Sequence, residues 1–248
     1  MKTIVAIGGG DIRKNETLSI DREIVRLSGK KRPRLLFIPT ASSDSEKYCQ
    51  HTLCYYEGNF RCQGEVLLLV KKKTTKQEIR EKIGLADIIY VGGGNTLKMM
   101  KIWRKLGVDK LLRRAWLDGK VLCGISAGSI CWFDSGHSDS LSFYNPHHWK
   151  YINVKGLGFL EGIHCPHYDS HTRGRRRKND FKMMIGKRGG KGVAIDNSAA
   201  IEVVGQRYRV LASKKNAKAY LVYRTDEGVV SEEILRRREF RPLKELYS

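Results

Sequence analysis

The sequence contains no apolar run that approaches the roughly 20 residues needed to span a membrane as a helix. Its first apolar run follows Lys2 and is too short for the core of a signal peptide, so it predicts a β-strand that ends in a glycine turn. No two cysteines form a C-x-x-C pair, and the spacing of Cys49, Cys54 and Cys62 matches no familiar zinc motif. These absences predict a cytoplasmic protein without a membrane segment.

Acidic residues are scarce beside the basic ones. The chain has 26 Asp and Glu against 47 Lys and Arg, a formal net charge of +21, which attracts polyanions. The charge is spread along the chain, however, apart from the run RGRRRK at 173–178, and no zinc-finger spacing, aromatic RNA-binding strand or helix-turn-helix accompanies it. Specific nucleic-acid binding is therefore disfavoured, and a polyanion-binding protein stays open as an alternative.

The chain of 248 residues is long enough to bury a large core. Short apolar runs alternate with helical patterns in its N-terminal two-thirds. Strands are predicted at 3–9, 34–42, 65–70, 87–94 and 120–126, and helices at 19–29, 44–60 and 75–86, with one or two more helices at 96–119. Continuous apolar strands separated by helices predict an α/β fold, a parallel sheet with helices on both faces, in a single domain over residues 1–248. After Ser126, short strands and turns follow, with a hairpin pattern at 192–211.

Small residues surround a serine in the stretch VLCGISAGSICWF at 121–133. An apolar strand ends there, and the G-I-S-A-G motif predicts a tight turn into a helix, which would push the hydroxyl of Ser126 outward at the sheet edge where ligands bind. Such a turn needs small neighbours because it brings backbone segments close together. The motif predicts a nucleophile elbow, although small residues also serve ordinary turns.

A nucleophilic serine needs a base and donors for the oxyanion. The glycines of VGGGNT at 91–96, at the end of another predicted strand, can present N–H groups. Among seven histidines, three cluster in GIHCPHYDSHTRGRRR at 162–177: His164, His167 and His171. Their spacing would also suit zinc, so a metal hydrolase is an alternative that sensitivity to a chelator would distinguish.

Three motifs in this order, YVGGGNTLKM, GISAGSICWF and CPHYDSHTRGRRR, resemble the peptidase E (aspartyl dipeptidase) family of serine peptidases, family S51 of clan PC. The resemblance covers most of the chain, including the opening strand and FIPTAS. It implies a fold similar to the class I glutamine amidotransferases and hydrolysis of dipeptides with an N-terminal aspartate, without a cofactor or metal. Cyanophycinase is a more distant relative, so hydrolysis of β-aspartyl peptides is an alternative, as is a non-catalytic relative that binds polyanions.

The resemblance implies that Ser126 is the nucleophile and His167, in its P-H-Y context, the general base. An acidic third member of the triad is expected after the serine. Asp139 is the preferred candidate and Asp134 the reserve, although their spacing from Ser126 departs from the family pattern. A carboxylate in this place would fix the imidazole tautomer and stabilise the imidazolium.

The remaining site residues also follow from the resemblance. The oxyanion hole would consist of the amides of Gly93, Gly94 and Ala127. An acidic peptide substrate would be held by Arg173 and Arg176, since arginine pairs with carboxylates in a bidentate manner, and Asn95 could contact it too. Arg175 and Arg177 are interpreted as solvated charge. The expected partner is a small acidic peptide, and the protein would be a monomer or a homodimer.

Overall fold

The computed structural model describes residues 1–247, and an eight-stranded sheet forms its centre. The strands stand in the spatial order β16 (Arg241–Pro242), β13 (Arg207–Ala212), β12 (Ala199–Val204), β1 (Thr3–Ile7), β5 (Val121–Ile125), β4 (Ile88–Val91), β2 (Arg34–Ile38) and β3 (Gln63–Val66). From β1 to β3 all neighbours are parallel, whereas β12, β13 and β16 add on in antiparallel fashion. The predicted parallel sheet is therefore confirmed.

Helices cover both faces of this sheet, as the sequence predicted. They are α1 (Leu18–Leu27), α2 (Glu46–Phe60), α3 (Lys76–Leu85), α4 (Thr96–Leu106), α5 (Val108–Leu117), the short α6 (Ala127–Ile130) and α7 (Arg177–Arg188). One face packs against α1 and α2, and the other packs against α3, α4 and α5. The stretch 96–119, predicted as one or two helices, forms two, because Gly107 with a φ of 74° ends α4. Within residues 1–247, no helix is both long and apolar enough to cross a membrane.

A second sheet, which sequence reasoning did not predict, follows in the second half of the chain. It has six strands in the order β15 (Gly228–Glu233), β14 (Ala219–Thr225), β11 (Lys191–Ile195), β8 (Leu160–Cys165), β6 (Phe133–Ser138) and β7 (Ile152–Lys155). Within the predicted hairpin region 192–211, only β12 and β13 form a hairpin, because β11 pairs with β8 and β14. A small hairpin of β9 (His171–Thr172) and β10 (Arg175–Arg176) stands apart.

The two sheets meet above the carboxyl ends of their strands. Gly9, just after β1, forms a bridge with Asn197, just after β11. The loops that follow β1, β4, β5, β8 and β11 therefore come together, and they carry the polar residues of the candidate site.

Candidate active site

Ser126 lies at the sharp turn between β5 and α6. Its φ of 58° and ψ of −113° form a strained backbone conformation that residues other than glycine rarely adopt. Its N–H donates to the Ile7 carbonyl oxygen at 3.1 Å, which ties the turn to β1. The half-buried hydroxyl remains open to solvent and bonds to no residue among 1–247. This is the geometry expected of a nucleophile elbow.

Glycines let the backbone close tightly around this turn. A Cβ atom on Gly128 would lie 2.1 Å from the carbonyl oxygen of Val91, so α6 could not approach β4 with any larger residue there. A Cβ atom on Gly93 would lie 3.3 Å from Ser126 Cβ. The loop at 91–96 therefore runs directly beside the serine.

His167 lies next to the same strand end, in the turn that follows β8. Its N–H donates to the Gly8 carbonyl oxygen at 3.1 Å, so Ser126 and His167 are bonded to consecutive carbonyls at the end of β1. Burial of the ring and the positive charge of Arg177 lower the pKa of His167, which its hydrogen bond to Asn197 partly opposes. A neutral imidazole near pH 7 can accept a proton.

The partner of His167 is Asn197, a residue that sequence reasoning missed. The Nδ1 atom of His167 lies 2.7 Å from Oδ1 of Asn197, so the amide oxygen accepts the Nδ1 proton. This leaves Nε2 unprotonated, and Nε2 has no partner among residues 1–247. The signal that could have found Asn197 is its place in the polar turn DNS, directly after a buried strand that ends at the same sheet edge.

Asp139 and Asp134 lie elsewhere, which corrects the predicted pairing of Asp139 with the imidazole. The Asp139 carboxylate accepts hydrogen bonds from Arg177 Nη2 at 2.8 Å and from Thr172 Oγ1 at 3.2 Å. The Asp134 carboxylate accepts one from the Gly162 N–H at 2.9 Å. The chain after Ser126 builds α6 and then β6 of the second sheet, and this path carries both carboxylates away from the His167 Nδ1 atom.

The predicted oxyanion amides differ in availability. The Gly93 N–H donates to the Tyr48 hydroxyl at 3.3 Å. The N–H groups of Gly94 and Ala127 have no hydrogen-bond partner in the part of the chain that the structure describes. Asn95 caps α4, since its Oδ1 accepts from the Lys98 N–H at 2.9 Å. Its buried amide thus has a structural task.

Four arginines near His167 have different surroundings. Arg173, at the tip of the β9–β10 hairpin, and Arg176 are exposed, and their side chains have no ion-pair or hydrogen-bond partner among residues 1–247. Arg175 lies over the Trp149 ring at 4.9 Å. Arg177, the first residue of α7, is buried and paired with Asp139, so it is not solvated charge as predicted, because the chain after the hairpin turns into the protein at this residue.

His164 and His171 do not join His167 in a metal site. Both ring nitrogens of the fully buried His164 are engaged inside the protein, Nε2 with Ser129 Oγ and Nδ1 with the Val193 carbonyl oxygen, each at 2.8 Å. His171 lies exposed on β9. Across residues 1–247, no group of three or more His, Cys, Asp or Glu side chains is arranged to hold a metal ion.

A cavity of about 500 Å³ opens beside the site, between the loop that follows β1 and the first turns of α2. Tyr48 lines it and connects it to Gly93, while Arg13 and Lys47 contribute positive charge and Asp11 contributes negative charge. The carboxyl edge of a parallel sheet is the usual place for a ligand. The cavity is therefore a candidate ligand-binding space that Tyr48 links to the loop beside Ser126.

Comparisons with known proteins agree on one family. The sequence profile of peptidase family S51 matches residues 4–211. The chain is 36% identical over 231 residues to the uncharacterized peptidase YgaJ of Bacillus subtilis (strain 168), an alignment that covers 92% of this chain and 95% of the relative.

Two solved structures share the fold at low sequence identity. A peptidase from an acI-B1 Actinobacterium has a TM-score of 0.72 at 16% identity, over 98% of this chain and 97% of the other. A putative peptidase E protein from Listeria monocytogenes EGD-e has a TM-score of 0.65 at 19% identity, over 86% of this chain and 100% of the other. The profile match and the relative from Bacillus subtilis show that the chain belongs to peptidase family S51.

Proposed function

We propose that the chain is a serine peptidase that hydrolyses short peptides by acyl transfer, above all dipeptides with an N-terminal aspartate. The observation that carries the proposal is the arrangement of Ser126 and His167 on consecutive carbonyls of β1. The serine has a free hydroxyl on a strained turn, and the histidine has a neutral ring with Nε2 unoccupied.

In this mechanism His167 Nε2 takes the Ser126 proton while Oγ attacks the peptide carbonyl. The imidazolium then gives that proton to the leaving amine as the C–N bond breaks, which leaves an ester on Ser126. A water molecule repeats the sequence, and its hydrolysis of the ester releases the acid and restores the serine. Asn197 keeps the Nδ1 proton in place throughout, as the asparagine does in Cys-His-Asn peptidases.

The amides of Gly94 and Ala127 would stabilise the oxyanion, because they have no partner among the residues that the structure describes. Ala127 is the first residue of α6 and adjoins the nucleophile directly. Gly93 would shape the hole with its backbone, since its own N–H already donates to Tyr48.

Selectivity for an acidic N-terminal residue rests on Arg173 and Arg176. Both are exposed, near His167 in the chain, and free of acidic partners within residues 1–247. A substrate carboxylate would neutralise the positive charge of these side chains, because a guanidinium can bind a carboxylate through two parallel hydrogen bonds.

The test is hydrolysis of a small panel of α- and β-linked aspartyl dipeptides by wild type and Ser126→Ala, with and without a chelator. We expect cleavage of the α-linked peptides that is insensitive to the chelator and lost in the variant. Ser28→Ala, at the C-terminal end of α1, is the matched control and should behave as wild type. Cleavage of the β-linked peptides alone would favour a cyanophycinase-like activity. Unchanged activity in Ser126→Ala would overturn the mechanism.

A further inference from the structure

The Asn197 side chain can face the His167 imidazole in two orientations that differ chemically, whereas an aspartate in its place could not. A carboxylate can only accept a hydrogen bond from an imidazole, whereas a side-chain amide can turn either its oxygen or its NH2 group towards the ring. With the NH2 group facing His167, Nδ1 would have to accept, the proton would move to Nε2, and the ring could no longer take the Ser126 proton. Some other group must therefore hold the amide in its productive orientation.

The group in position to do so is Asp169. Its Oδ1 accepts a hydrogen bond from the Asn197 Nδ2 at 2.9 Å and another from the Asn197 backbone N–H at 3.0 Å. A carboxylate has no proton to donate near pH 7, so the NH2 group of Asn197 must face it and Oδ1 must face His167. The hydroxyl of Ser170, at 2.6 Å from Nδ2, accepts the second amide proton.

Asp169 and His167 belong to one turn, which backbone hydrogen bonds hold in place. The Ser170 N–H donates to the His167 carbonyl oxygen at 2.9 Å, and the Tyr168 N–H donates to the Ile195 carbonyl oxygen at 3.1 Å. The turn is thus fastened to the end of β11, from which Asn197 follows. The hydrogen-bonded chain runs from the imidazole through the amide to the carboxylate.

We propose that Asp169 is a positioning residue of the peptidase site: its carboxylate fixes the Asn197 amide with the oxygen towards His167. Its negative charge also stabilises the His167 imidazolium. It does so across Asn197, whereas the aspartate of a Ser-His-Asp triad contacts the imidazolium directly. The inference rests on the proposed function, because it assigns a role within the same catalytic group.

Other charged groups face Asp169 and enter any pH profile. Burial raises the pKa of Asp196 to about 6, and the charge of Asp169 adds to that rise. Burial raises the pKa of Tyr220, the charge of Asp169 adds to that rise, and Lys178 lies over the Tyr220 ring at 5.7 Å. Burial and the charge of Arg177 oppose protonation of His167, whereas its hydrogen bond to Asn197 and the charges of Asp139 and Asp169 favour it. An Asp196→Asn variant is therefore needed to separate the titration of Asp196 from that of His167.

The decisive experiment moves the negative charge by one position. The variants are Asp169→Asn, Asn197→Asp and the combination of both. Asp196→Asn separates the titration of Asp196, and exposed Asp226→Asn in the β14–β15 turn is the matched control. Each is measured by kcat and KM for an aspartyl p-nitroanilide over a range of pH, and by NMR of the imidazole nitrogens of His167. Asp169→Ala, with its melting temperature, shows what loss of the whole side chain does.

We expect Asp169→Ala to lower kcat on the order of tenfold or more with little change in KM, and Asn197→Asp alone to lower it because two carboxylates then face each other. The combined variant should recover most of the activity, since the amide introduced at position 169 could donate to the carboxylate introduced at position 197. It should also raise the pKa of His167 above the wild-type value, whereas Asp169→Asn alone should lower that pKa.

Two results would overturn the inference. One is an additive double-mutant cycle, in which the second substitution rescues nothing. The other is an Nδ1–H signal and a His167 pKa that do not respond to Asp169. The NMR titration does not need turnover. A wild type that hydrolyses no peptide but shows the expected shifts would refute the proposed function while leaving the Asp169–Asn197–His167 contact established.

Discussion

His164 and His167 stand three residues apart, yet the fold gives them opposite environments. His164 is fully buried at the end of β8 with both ring nitrogens bonded, and burial lowers its pKa to about 3. His167 sits in the following turn, half-buried, with one nitrogen bonded and the other open. The difference lies in whether Nε2 has a partner, which decides whether a histidine packs the core or reacts.

The arginines of the neighbouring hairpin and of the first turn of α7 repeat the contrast. Arg177 is buried against Asp139, whereas Arg173 is exposed without an acidic partner among residues 1–247. In both pairs the residue that the protein satisfies internally supports structure, and the one that it leaves unsatisfied is available to a ligand. Substitutions at these residues test whether the bonded members support structure and the open members support activity.

The largest effect is expected for His167→Ala. Removal of the base should lower kcat on the order of a thousandfold or more, with the melting temperature close to that of wild type. Steady-state kinetics on an aspartyl dipeptide together with thermal unfolding measure both quantities. A variant that keeps its activity would show that the open Nε2 atom has no catalytic task.

His164→Ala should show the reverse pattern. It removes the contact of the ring with the Ser129 hydroxyl, which keeps its hydrogen bond to the Ser126 carbonyl oxygen at 2.7 Å. It also removes the ring that stacks on Phe133 at 4.6 Å and opens a cavity, and together these losses cost about 3 kcal/mol of unfolding free energy. The kcat per folded molecule should change only a few-fold. Urea unfolding followed by activity measurements on the folded fraction tests this, and a stable but inactive variant would contradict the division.

Arg173→Ala should raise KM for an aspartyl dipeptide about tenfold, because a charge-assisted contact with the substrate carboxylate is lost. The same variant should barely affect a peptide with N-terminal asparagine. Arg175→Ala is the matched control, since Arg175 packs on Trp149 in the same hairpin. Equal losses for both variants, or none for Arg173→Ala, would remove Arg173 from the specificity site.

The last prediction concerns the pH dependence of stability, an effect that is small near neutral pH and grows as the pH falls. His164 has a pKa of about 3 in the folded state, against about 6.5 in the unfolded chain. As the pH falls below about 6.5, only the unfolded state gains this proton, so the free energy of unfolding should decrease by up to about 1.4 kcal/mol per pH unit until the folded pKa is reached. Comparison of wild type with His164→Asn isolates this contribution, and parallel curves would contradict it.

Local patterns were sufficient for the parallel sheet and for the turn at Ser126. Strands such as β1 and β5 are continuous apolar runs, and the helices that follow β1, β2 and β4 show helical spacing over many residues. The crowding at Gly128 is likewise a local requirement that the motif expresses directly. Such features depend on neighbours in the sequence, so a single chain reveals them.

The partner of His167 depended instead on contacts between distant segments. Asn197 reaches the imidazole because β11 pairs in parallel with β8, and this pairing joins residues about 30 positions apart. Asp139 was the preferred acid although its spacing from Ser126 departs from the family pattern, and β6 carries it to the second sheet and to Arg177. No periodic pattern in the sequence predicts the pairing of β11 with β8.

The most direct test of the account is covalent labelling by a fluorophosphonate, followed by the mass of the intact protein and mapping of the adduct. We predict one adduct per chain on Ser126 in wild type and in the folded fraction of His164→Asn, much slower labelling in His167→Ala, and none in Ser126→Ala. Labelling at the wild-type rate in His167→Ala, or at a residue other than Ser126, would contradict the assignment of His167 as the base that activates this serine.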